Sequence, residues 1–147
     1  VKIPITNTKG ELTENVIGNL SSKNIKLNIT AIFTLDQAIA IKDYIKEDVY
    51  TIISIFAGRI ADTGIDPSDV MKKIKDNYKN KSMSKILWAS PRELLNIFQA
   101  EQIGCDIITV ADDILNKLHL INKDHKDYSL ETVKMFYNDA TSAGYKI

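Results

Sequence analysis

Cysteine is almost absent from this 147-residue sequence, and the single Cys105 excludes an intrachain disulfide and any multi-thiolate metal site. It reads as a small core residue in a reducing compartment. Net charge is missing too: 19 basic residues balance 19 acidic ones. No overall field therefore draws the chain toward nucleic acid or an anionic membrane, and any anion site must be built from locally placed cations. No apolar run approaches the roughly 20 residues of a membrane span, and the opening Val-Lys-Ile-Pro lacks the apolar stretch of a signal peptide. A cytoplasmic protein with no nucleic-acid or membrane partner is expected. The two histidines, His119 and His125, sit among lysines away from the predicted strand ends, so they receive no catalytic or metal role. An initial methionine is lacking as well. The chain opens on Val1 inside a predicted strand, which leads us to expect a missing upstream segment.

With 44% hydrophobic and 26% charged residues, the sequence can bury the core of one globular domain. Short β-branched apolar runs alternate with stretches of helical period. Val1 to Thr6, Ile25 to Phe33, Val49 to Ile55, Lys85 to Ala89 and Asp106 to Val110 predict five strands. Between them Leu12, Val16, Ile17 and Leu20, and then Leu35, Ala38, Ile41 and Ile45, recur at helical spacing. Pro67-Ser68-Asp69 reads as a helix start, and Pro91 falls where a first helical turn would carry Glu93, Leu94, Leu95 and Phe98. Asp112 and Asp113 read as caps of the next helix. A last helix, about 129–143, would begin at Ser129, place Leu130, Val133, Phe136 and Ala140 on one face, and stop at Gly144.

Strands that are apolar throughout and separated by helices mean a parallel α/β sheet, either doubly wound or closed into a barrel. Five units suit a flavodoxin-like domain of about 150 residues, or five of the eight units of a TIM barrel that needs about 250 residues. Periodicity does not choose between them. Strand order would: sequential neighbours mean a barrel section, a central crossover the doubly wound fold. In both folds chemistry gathers at the carboxyl ends of the strands.

Polar residues at those ends are therefore the candidates. Lys2 lies between apolar neighbours, and a lysine buried in a parallel strand is costly unless a dry site is used to favour the neutral amine for attack on a carbonyl. The plain alternative is a terminal residue with its head in water. Asn28 and Thr30 are two residues apart and so share one face of their strand. If that face is interior they need partners, which a polyhydroxylated substrate could supply. The third strand runs into Ser54-Ile55-Phe56-Ala57-Gly58-Arg59-Ile60, the fourth into Ala89-Ser90-Pro91-Arg92. Two strand-end arginines and a serine beside an expected helix start make a candidate phosphate site. Thr6 to Gly10 has one glycine and no Walker spacing, so it is a poor phosphate loop.

Four segments taken in order resemble the transaldolase family: Val1-Lys2-Ile3-Pro4; Leu27-Asn28-Ile29-Thr30 running into Phe33-Thr34-Leu35-Asp36-Gln37-Ala38; Ser54 to Ile60; and Ala89 to Arg92. The resemblance covers most of the chain. It implies a single-domain section of a TIM barrel, residues 1–147 supplying its fourth to eighth strands. It also implies the transfer of a dihydroxyacetone unit from a ketose phosphate to an aldose phosphate, a step of the pentose phosphate pathway, through a Schiff base on Lys2. Asn28, Thr30 and Ser54 would hold the intermediate and its catalytic water, and Arg59, Ser90 and Arg92 the phosphate. No metal or organic cofactor is implied, because the protonated imine is the electron sink. Phe56 matches transaldolases proper, where the related fructose 6-phosphate aldolases carry tyrosine. Ile55, Ala57 and Pro91 depart from the usual motifs. An aspartate, an asparagine and an acidic proton-transfer residue, drawn in the family from the first three strands, have no counterpart. The expected partners are sugar phosphates and further copies of the chain in a homo-oligomer. The isolated section is expected to be inactive and to be stable only within a longer polypeptide or an assembly. The other readings are an aldolase and a non-catalytic flavodoxin-like phosphate-binding domain.

Overall fold

The computed structural model describes residues 1–145. Isoleucine dominates the predicted strands, and its stiff branched side chain suits a pleated, buried surface. Five strands form: β1 (Lys2–Pro4), β2 (Leu27–Ile32), β3 (Thr51–Ile55), β4 (Ser84–Trp88) and β5 (Ile107–Ile108). All pair in parallel, in the spatial order β1-β2-β3-β4-β5. Sequential order with no crossover excludes the flavodoxin-like reading and matches consecutive units of a (β/α)8 barrel.

Helices α1 (Glu14–Ser22), α2 (Leu35–Ile41), α3 (Ala57–Ala61), α4 (Ser68–Asn77) and α5 (Leu95–Ile103) fill the connections, and α6 (Asp112–Leu115) and α7 (His125–Ser142) follow β5. Thr34 starts α2 with a reciprocal capping box to Gln37. The in-register row Ile3, Ile29, Ile53 and Ile86 packs with Ile17, Ala38, Met71, Ile74 and Ala100 of the helices into the main core. Because side chains alternate across a strand, the intervening rows look to the other face of the sheet.

Several expectations are corrected. Ser129 does not begin the last helix; Asp124 does, its carboxylate accepting from the Lys126 and Asp127 amides, which satisfies first-turn donors five residues earlier. The expected apolar face of α7 is found, but Leu130, Val133 and Phe136 are exposed and no residue of α7 is buried. Asp112 and Asp113 lie inside the first turn of α6, after the N-cap Ala111, and make no capping bond. Helix α3 went unforeseen because five residues are too few for a periodic signal.

Strand β5, Ile107–Ile108, is shorter than the expected Asp106 to Val110. Asp106 joins the strand pair with its side chain as well as its backbone: its amide donates to Ile86 O at 3.0 Å, and its Oδ2 accepts from the Ile86 amide at 2.8 Å and from Lys75 Nζ at 2.7 Å. Burial opposes ionisation of this carboxyl, but the bonds from Lys75 and Ile86 outweigh it and hold Asp106 below its ordinary value of 3.8. A depressed native value stabilises the fold fully above the unfolded value and ceases to do so as pH falls through the native one. Asp106→Asn should therefore cost about 1 kcal/mol at pH 7. In urea titrations the gap to the unsubstituted chain should narrow below about pH 4 and close once Asp106 protonates.

Candidate active site

Pairing places Lys2, Asn28, Ile52 and Lys85 in one row across four strands. Because the neighbouring isoleucine row faces the helices, this row looks to the helix-free face. Two residues further along each strand the same face returns, so Pro4 on β1, Thr30 on β2, Ser54 on β3 and Leu87 on β4 share it. Ser54 Oγ donates to Asn28 Oδ1 at 2.7 Å. Ser54 is buried, Asn28 half-buried. Thr30 is buried, and its Oγ1 has no partner among the described residues. Glu14 Oε2 and Trp88 Nε1 share that condition, but Trp88 belongs to the core on the helix side. An orphaned buried hydroxyl is uncommon and marks a place where a ligand or water can complete the bonding. Lys2 is exposed on the edge strand, so these five strands do not supply the dry surroundings expected for it.

A β-bulge shapes the mouth of this face. Register holds from Leu27 to Ile29 against Thr51 to Ile53, then shifts so that Ile32 pairs with Ile55, giving β2 one extra residue; Ala31 takes φ 60°. The extra residue keeps Ile32 on the helix side, where it is fully buried, and sends Phe33 to the strand end. There Phe33 meets Phe56 with ring centroids 5.8 Å apart, and the Arg59 guanidinium lies 5.0 Å above the Phe56 ring. Stacking of this kind orients an otherwise exposed arginine.

The other expected phosphate residues lie on the β4–α5 loop. Ser90 has φ 58°, an unusual conformation for a side-chain-bearing residue. Its carbonyl is pressed against α3: a Cβ built on Gly58 would stand 1.4 Å from Ser90 O. The Gly58 amide donates to Ala89 O at 3.2 Å. Only glycine permits this approach. The expected helix start at Pro91 is corrected, since α5 begins at Leu95. The Arg92 and Glu93 amides are taken by Asn96 Oδ1, at 2.7 and 3.2 Å, so they are not free donors for an anion. Arg92 itself pairs with Asp62, its Nη2 at 2.5 Å from Oδ2, and bonding to that carboxylate raises the guanidinium above its ordinary value. Ser90, Pro91 and Arg92 line a cavity of about 350 Å³ together with Thr109, Val110 and Ala111. Sequence reasoning missed Asp62 and Asn96, whose significance depends on which loop each one meets.

The geometry thus gathers Lys2, Asn28, Thr30 and Ser54 on one sheet face and the arginines with Ser90 at its carboxyl ends, and comparison with known proteins supplies the family. The family model for Transaldolase/Fructose-6-phosphate aldolase matches residues 1–147. The chain belongs to the transaldolase/fructose-6-phosphate aldolase family. It is similar to a probable transaldolase of Nitrosopumilus maritimus, 34% identical over 121 residues that make up 80% of this chain and 50% of that protein. A probable transaldolase of Thermoanaerobacter sp. is 31% identical across 100% of this chain and 62% of its own length. One from Carboxydothermus hydrogenoformans is 35% identical over 69% of this chain and 46% of its own. The chain spans about half the length of the curated relatives it matches, in keeping with five of the eight units of the family's barrel.

Gly58→Ala tests the contact that joins α3 to the β4–α5 loop. Backbone must move to admit the methyl group, so the substitution should destabilise the chain by about 2 kcal/mol or more, read as a lower urea midpoint with an unchanged slope.

Proposed function

We propose that this chain carries the Schiff-base and phosphate-binding portion of a transaldolase. The observation that supports the reading best is the shared face itself: Lys2 is in register with Asn28, Asn28 is bonded to Ser54, and the orphaned Thr30 hydroxyl lies on the same face. The neutral amine of Lys2 attacks the ketone carbon of a ketose phosphate such as fructose 6-phosphate. Loss of water gives the protonated imine, which accepts the electron pair as an enamine when the bond between the α and β carbons breaks and the β-hydroxyl gives up its proton. An aldose phosphate leaves, the dihydroxyacetone unit retained on Lys2 adds to the aldehyde of a second aldose phosphate, and water hydrolyses the new imine to release the product ketose phosphate and free the amine. Asn28, Thr30 and Ser54 supply hydroxyl and amide partners for the bound unit and its water, while Arg59, Ser90 and Arg92 hold the phosphate. Phe56, in place of tyrosine, favours transfer over simple aldol cleavage. The chemistry needs no metal or organic cofactor.

Transfer also needs a group that takes and returns the proton of the cleaved alcohol. No carboxylate stands in the Lys2 row or the Thr30 row of the face, so the proposal assigns that task to further strands of a complete barrel. The open edges β1 and β5 are where such strands would pair.

Borohydride reduction in the presence of fructose 6-phosphate should attach the sugar at Lys2, identified by mass spectrometry of the N-terminal peptide, and Lys2→Ala should abolish the label. Equal labelling of the Lys2→Ala chain would refute the assignment. Steady-state transfer by the 147-residue chain should be absent or at least about 100-fold below that of an eight-stranded relative, the low end of what a missing general acid–base costs.

A further inference from the structure

Asp62 caps the carboxyl end of α3, three positions beyond Arg59, and meets Arg92 from 30 residues away in sequence. Arg92 Nε donates to Asp62 Oδ1 at 3.0 Å and to Oδ2 at 3.2 Å, and Nη2 donates to Oδ2 at 2.5 Å. The carboxylate thus occupies one edge of the guanidinium. Nη1 has no partner among the described residues, and Nη2 keeps a second hydrogen, so the edge that remains can still take a phosphate through two parallel bonds.

Stability does not explain this arrangement. Both side chains are about half exposed, at 47% and 49%, and pairs so exposed contribute little to folding. What the pair does is fix a long side chain. Asn96 already pins the Arg92 backbone, and the Gly58 contact pins Ser90. With Asp62 holding the guanidinium, Arg92 is restrained at both ends before any ligand arrives. A free arginine would lose that rotational freedom only on binding, at a cost in affinity.

We propose that Asp62 is a positioning residue for phosphate recognition, setting the Arg92 guanidinium so that its Nη1–Nη2 edge meets the phosphate of the substrate. The proposal rests on the reading of Arg92 as a phosphate ligand. A simple competitor carboxylate, holding Arg92 away from phosphate, would have the opposite effect when removed, and that difference makes the idea testable.

The test is titration of the 147-residue chain with inorganic phosphate at fixed ionic strength, followed by calorimetry or 31P line width. Arg92→Ala should weaken binding about ten-fold or more, and Asp62→Ala should weaken it about ten-fold while leaving the thermal midpoint in place. Asp62→Glu should restore most of the loss. Adding Asp62→Ala to Arg92→Ala should weaken binding no further, because the aspartate acts only through the arginine. Unchanged or tighter binding by Asp62→Ala, with Arg92→Ala weakened, would overturn the positioning role and leave the phosphate site standing. Binding unaffected by both Arg92→Ala and Arg59→Ala, or no binding by the unsubstituted chain, would overturn the phosphate reading and this proposal with it.

Discussion

Parallel pairing of the five strands in chain order is the constraint from which the rest follows. It sets Lys2 level with Asn28, and Asn28 level with Ile52. Alternation then decides that the isoleucine row enters the helix-side core while the polar row does not. A one-residue slip of any strand would exchange those rows, burying asparagine under helices and exposing isoleucine, so the core holds the polar face in place. Among the described residues the one departure from regular strand pairing, the bulge at Ala31, keeps Ile32 in the core while delivering Phe33 to the strand end.

Helix α3 organises the second part of the candidate site although it is only five residues long. It carries Arg59 stacked on Phe56, it ends in the Asp62 that grips Arg92, and its Gly58 admits the Ser90 carbonyl at a distance no other residue would tolerate. Three proposed phosphate ligands from two different strand ends are thereby referred to one short element. Their relative placement depends on backbone contact and one ion pair more than on any deep pocket.

Much of this was legible in the sequence. Isoleucine-rich runs announced all five strands, and the motifs around Lys2, Asn28, Ser54 and Ser90 pointed to the family that the comparison then showed. What periodicity could not settle, barrel section or doubly wound sheet, needed the strand order. The bulge stayed hidden because a positive φ ordinarily announces itself as glycine and here falls on Ala31. Beside β5, nothing local reveals that the Asp106 side chain bonds the neighbouring strand. Asp62 and Asn96 are common polar residues whose partners are set by tertiary folding, and Pro91 suggested a helix start that the Asn96 side chain replaces with a non-helical turn. Between the two readings open for Lys2, a dry site or a head in water, the structure shows the exposed one, since an edge strand cannot bury it without a neighbour on its open side.

The central claim is that one sheet face holds the sugar while the strand ends hold its phosphate. A crystal structure of the chain after borohydride reduction with fructose 6-phosphate tests it most directly. The account predicts a covalent bond to Lys2 Nζ, the sugar hydroxyls within bonding distance of Asn28, Thr30 or Ser54, and the phosphate on Arg59, Ser90 and Arg92. A sugar attached to another lysine, or a phosphate bound away from those three residues while Lys2 is labelled, would contradict it.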